Sequence, residues 1–134
     1  MKLSHGKIIL IIGCMHAIMG ISPAAFGDQY SVFANQFFFK VSEGLFEFPL
    51  LNGQMNYENF AAFWFVYFGV LLIPLGILAD YIEKVQGGLP KSFIWSYIAV
   101  IAVGVFMIPF SGMTLIMLPH ALYMAFKSRH LQHK

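Results

Sequence analysis

The stretch that decides the fold is AAFWFVYFGVLLIPLGILADY, residues 61–81, in which the single charged side chain, Asp80, comes next to last. A helix rises about 1.5 Å per residue, and roughly 17–25 apolar residues cross the hydrocarbon of a bilayer. Taken with Asn59 and Phe60, this stretch reads as one span, 59–81. Pro74 inside it is no objection, because membrane helices tolerate proline where neighbours satisfy the freed carbonyl.

Outward from that span, three more apolar stretches fit the same template: 7–26, 93–110 and 112–126. The first fits comfortably and the third in chain order just fits. The last is short, but MIPFSGM at 107–113 reads as a tight turn from which a final helix runs on towards Lys127. Hydrocarbon offers no water to the backbone, so helices are favoured over open strands. The expectation is an all-α membrane protein: one domain, 1–134, with four transmembrane helices and an outer segment at 27–58.

Composition narrows the alternatives. Hydrophobic residues make up 59% of the chain and charged residues 10%, and the mean hydropathy is +0.73. A soluble domain carries about 25% charged residues, so this chain cannot clothe itself in a solvated surface. A net charge of +2, scattered along the chain, gives no footprint for nucleic acid. Cys14 is the one cysteine, which excludes an intrachain disulfide, and the five histidines show no zinc spacing. No metal site is expected.

The basic residues orient the spans. Lys2, Lys7, Lys84, Lys91, Lys127, Arg129 and Lys134 fall on one side of a four-span topology, and only Lys40 on the other. The positive-inside rule then puts both termini in the cytoplasm of a bacterial inner-membrane protein. Tyr81, Trp95, Tyr97 and Tyr123 gather near the inner ends, while Tyr57 and Trp64 mark the outer end of the second span. Lys2, Lys7 and SPAAF at 22–26 also allow a cleaved signal peptide. The apolar run is long for one, it holds His16, and its removal would leave three spans.

In YSVFANQFFFKVSEGLFEFP, 30–49, Phe33, Phe37, Val41 and Leu45 recur every four residues, with Gln36, Lys40, Glu43 and Glu47 opposite. This is an amphipathic helix, lying in the outer interface or acting as a lid. Pro49 ends it, and Asn52-Gly53 makes the return turn.

Gly13, Gly20 and Gly27 are seven apart, as are Ala62, Gly69 and Gly76. Small residues on one seam let two membrane helices approach closely, so spans one and two form a close antiparallel pair. His16 lies on or beside this seam. Its structural reading is a hydrogen bond to the Val70 carbonyl that Pro74 frees. Its functional reading is a polar site inside the membrane, with Trp64, Tyr67 and His120, the last following Pro119 in span four. Two histidines at one depth could ligate a b-type haem axially or hold a quinone. A proton relay is weaker, since no carboxylate lies well inside a span.

No catalytic constellation is visible. Ser22, Ser96, Ser111 and Thr114 lack base and acid partners, and GGLP at 87–90 is a turn. Gly6-Lys7, Gly13-x-x-His16, AAFWFVYFG at 61–69, Gly76 with Asp80, LP at 89–90, PFSG at 109–112 and Leu118-Pro119 together resemble a bacterial family of small four-helix membrane proteins, catalogued as a domain of unknown function. The resemblance spans nearly the whole chain and implies an integral inner-membrane protein with no known activity or cofactor. His16 belongs to that pattern and His120 does not. The leading reading is a non-enzymatic accessory or small-molecule-binding membrane protein, with lipid, a second copy or another membrane protein as partner. A haem- or quinone-binding redox protein and a small oligomeric transporter are the alternatives.

Overall fold

The computed structural model describes residues 3–36 and 57–130, and within them every regular element is helical. The amphipathic pattern centred on Phe37–Leu45, Pro49 and the Asn52-Gly53 turn lie outside the described residues.

Helix α1, His5–Ile21, starts where Ser4 caps it: the Ser4 hydroxyl accepts the Lys7 N–H at 3.2 Å. It stops because Pro23 has no N–H to give and forces Ser22 out of helical backbone. The Ser22 carbonyl then accepts from Ala25 and Gly27 at 3.1 and 2.9 Å. A Cβ on Gly27 would lie 2.7 Å from the Ser22 carbonyl carbon, so glycine alone fits there. Gly27 thus opens α2, Gly27–Gln36, instead of extending the seam on α1. Asp28 in its first turn suits the positive end of the helix dipole.

Helix α3, Tyr57–Gln86, runs through Pro74 without ending. Gly87 follows with φ +73°, the left-handed conformation that closes helices at little cost when no Cβ is present. Helix α4, Lys91–Met107, leads through a turn at 108–112 into a π-helical segment, Met113–Met117, and then α5, Leu118–His130. The Leu118 N–H reaches back five residues to the Met113 carbonyl. Pro119 comes next; its ring would crowd the carbonyl four residues before it, and the wider π turn relieves that clash.

The all-helical class holds, but four full-length spans do not. Among the described residues, only 61–86, within α3, is both long and apolar enough to cross a membrane unaided. Helices α1 and α4 have 17 residues each, about 26 Å of rise, short of a hydrocarbon core of about 30 Å. Pro23 and the 108–112 turn cut both runs before their apolar residues are exhausted.

The chain forms two compact units, 1–8 with 77–134, and 9–76. In the 9–76 unit, α1 lies antiparallel to α3 on small residues. A Cβ on Gly13 would come within 2.8 Å of both the Gly69 carbonyl oxygen and the Leu72 side chain, and one on Gly76 would press on Leu10. Ala62 is fully buried on the same line. Gly20 meets Phe65 and Val66. In the other unit, Ile94, Tyr97 and Ile101 of α4 face Met117, Ala121 and Met124, all buried and spaced three or four apart as two packed helices require. Near their connecting turn, Gly104 leaves room for the Met113 thioether.

Candidate functional site

The described charged groups of the unit formed by 1–8 and 77–134 collect at one end of its helices. The first turn of α1 has unsatisfied N–H groups, and α3 supplies the acceptor. Glu83 Oε2 accepts from the His5 N–H at 2.7 Å and from the Gly6 N–H at 3.4 Å. One turn back, Asp80 accepts from the Ser4 hydroxyl and, at 2.6 Å, from Lys84. This approach is possible because residue 6 is glycine: a Cβ there would strike the main chain of Ala79 and Asp80. Two carboxylates thus sit where the dipole of α1 favours negative charge.

His5 joins α1 to α5. Lys127 Nζ lies 3.3 Å from its Nε2, and its Nδ1 lies 3.4 Å from His120 Nε2. An ammonium can only donate. Lys127 therefore makes His5 Nε2 an acceptor, leaves the ring hydrogen on Nδ1, and turns that hydrogen towards His120 Nε2. The hydrogen of a neutral His120 then sits on its Nδ1, which is buried without a partner, as is Tyr97 Oη. The Tyr97 and His120 rings meet edge-on at 6.0 Å. Tyr123 covers His5 at 5.4 Å. Burial holds the His5 pKa below the ordinary imidazole value and Lys127 pushes the same way, against an opposing pull from Glu83. Lys127 also stands 3.9 Å from Glu83 Oε1.

Of this network, His5, Glu83 and Lys127 line a cleft of ≈ 530 Å³. The rest of its lining is the 86–90 connection, Lys91 and Ile94 at the start of α4, and Met124 and Ser128 on α5. Chemically it is a mixed site, lined both by the ammonium-bearing Lys91 and Lys127 and by aliphatic surface from Leu89, Ile94 and Met124. The volume lies in the range of small-molecule sites.

The residues singled out in the sequence occupy three settings. His16 is half-buried, with its ring stacked on Phe65 at 3.9 Å and edge-on to Phe68 at 5.5 Å. Its polar contact is with the Phe65 main chain, and no hydrogen bond joins it to Val70 among the described residues. Trp64 and Tyr67 fall on the outward side of α3, exposed, and pack on Phe63. His120 is buried against His5 and Tyr97, and its Nε2, the atom a haem iron would take, already faces His5.

The residues missed are His5, Glu83 and Lys127. A signal was present. Gly6 lies seven before Gly13, and Glu83 seven after Gly76, so the small-residue seam extended by one step in each direction brings the start of α1 onto Asp80 and Glu83.

A family model described as a family of unknown function (DUF6463) matches residues 1–130 of the chain. No curated protein and no solved structure matches it.

Proposed function

The chain belongs to that family, and we propose that it is a multi-pass bacterial inner-membrane protein that binds a small molecule in its cleft. In this reading α1, α4 and the π segment with α5 cross the bilayer as α3 does, and both termini are cytoplasmic.

The observation that carries the reading is where the apolar side chains point. Val100, Phe106 and Phe110 are 64%, 87% and 99% exposed, and Ile18, Ile77 and Leu115 are exposed as well. In water such surface is a liability, whereas lipid accepts it. The charges support the same reading. Every described lysine belongs to the unit of 1–8 and 77–134, and the described part of 9–76 holds no lysine or arginine. Exposed Tyr81, Trp95 and Tyr123 suit the headgroup layer beside those lysines. The cleft lies among the same lysines, which this topology turns to the cytoplasm.

Single cysteines in a Cys14→Ser background test the topology. A thiol at Gln54 should react with an impermeant maleimide in intact spheroplasts, and one at Gln86 only after the membrane is opened. The reverse pattern overturns the orientation, and labelling of both in intact spheroplasts removes the membrane reading.

A further inference from the structure

We propose that the cleft binds a phosphate ester, and that Lys91 and Lys127 select it by charge. The proposal deepens the small-molecule reading of the same cleft. It names the ligand's chemistry and does not depend on the topology.

The argument begins with which charges are already spent. Glu83 is the carboxylate of the cleft, and its Oε2 is taken by the main-chain N–H groups of His5 and Gly6. Lys127 stands 3.9 Å from the other carboxylate oxygen and gives one hydrogen to His5 Nε2. An ammonium has three donors, so Lys127 keeps a hydrogen for a ligand. Lys91 is exposed and has no hydrogen-bond or ion-pair partner among the described residues. The cleft therefore presents one unpaired cation and one only partly paired.

An unpaired ammonium against a concave surface asks for an anion. Size and lining say which kind. At ≈ 530 Å³ the space exceeds what one inorganic ion needs, and Leu89, Ile94 and Met124 line it with hydrocarbon. A phosphate carrying an organic substituent satisfies both kinds of lining: oxygens on the lysines, carbon against the aliphatic side chains. A diester headgroup of an anionic lipid and a soluble phosphate monoester share this chemistry.

Three probes on the full chain in neutral detergent separate the outcomes: dihexanoyl phosphatidylglycerol, dihexanoyl phosphatidylcholine and glycerol phosphate, titrated by native mass spectrometry or calorimetry. The expected result is tighter binding of phosphatidylglycerol than of phosphatidylcholine, weakening as salt rises. Lys91→Gln should lose about fivefold, in line with about 1 kcal/mol per lysine near an anionic headgroup. Adding Lys127→Gln should abolish the preference. Lys84→Gln, whose ammonium pairs with Asp80 and does not line the cleft, should keep it. Lys127→Arg should also keep it, which separates loss of charge from loss of fold at a residue that touches His5. Glycerol phosphate binding as tightly as phosphatidylglycerol supports the proposal with a soluble source. Equal binding of the two lipids, or a preference that survives the double variant, overturns it. Equal binding would still leave a small-molecule cleft, so the broader reading falls only if no probe binds.

Discussion

His5 shows how much one residue near a chain terminus can carry. Its ring bridges Lys127 and His120 while its main-chain N–H is held by Glu83. Those partners lie 122, 115 and 78 positions away, so no local pattern in SHGK announces them. His16 drew attention because an imidazole in an apolar run is conspicuous, whereas His5 sits among polar residues and passes for an interfacial one. The His5 network also makes a pH prediction. Its folded pKa is lowered by burial and by Lys127, so a proton binds more readily after unfolding. Such a group stabilises fully above the ordinary imidazole value of about 6.5, and the contribution is lost as pH falls through the lowered folded value. The groups facing the ring are Lys127, Glu83, His120 and Tyr123. The unfolding temperature in detergent should fall from pH 7 to pH 5, and His5→Gln should flatten part of that fall. Lys127→Gln should make the fall smaller and end it at higher pH, because removing the cation brings the folded value closer to the unfolded one. A wild-type profile flat across this range would remove His5 from the account.

At the level of helices, what could be read and what could not follow from different physics. The small residues Gly13, Gly20, Ala62, Gly69 and Gly76 obey a fixed interval because two helices in contact repeat their seam about every two turns, and that interval is visible in the letters. Helix ends are set by particular stereochemical events. Pro23 stops α1 five residues before its apolar run ends, and Gly27 is spent on a turn against the Ser22 carbonyl. Pro119 widens a turn of helix into a π segment, which hydropathy does not register. The seam carries its own prediction. A Cβ on Gly69 would lie 2.6 Å from the Ala17 nitrogen and 2.9 Å from the Gly13 carbonyl oxygen, main-chain atoms that yield only if α1 moves as a whole. Gly69→Leu should cost at least the roughly 1–3 kcal/mol typical of overpacking, seen as a lower unfolding temperature in detergent. Ala61→Leu, one residue from the seam and exposed, is the control and should leave the temperature unchanged. Equal behaviour of the two variants would mean that α1 and α3 do not depend on close approach.

For the molecule as a whole, the deciding quantity is the mismatch between its helices. Helix α3 has 30 residues and α1 and α4 have 17 each, so under the proposed multi-pass topology a bilayer matched to one cannot match the others. A long helix accommodates by tilting or by running past the headgroups, and the polar last turns of α3, with Asp80, Glu83 and Lys84, suit such an extension. A short helix has only local thinning of the bilayer or anchoring by its flanking residues, each costing fractions of a kcal/mol per Å of mismatch. Lysines and aromatic residues flank the short helices at one end, where in that topology Lys7, Lys91, Trp95 and Tyr123 would reach up to the headgroups. Their other ends, near Ile21 and Met107, carry no charged side chain that could do the same. Thickness should therefore act on the short helices first. Reconstituted into phosphatidylcholine nanodiscs with fourteen-, eighteen- and twenty-two-carbon monounsaturated chains, the protein should have its highest unfolding temperature in the thinnest bilayer and its lowest in the thickest. Adding three leucines before the α4 end at Met107 should move that optimum towards thicker lipid. Greatest stability in the twenty-two-carbon bilayer would mean that α3 alone sets the hydrophobic thickness and that α1 and α4 do not span it.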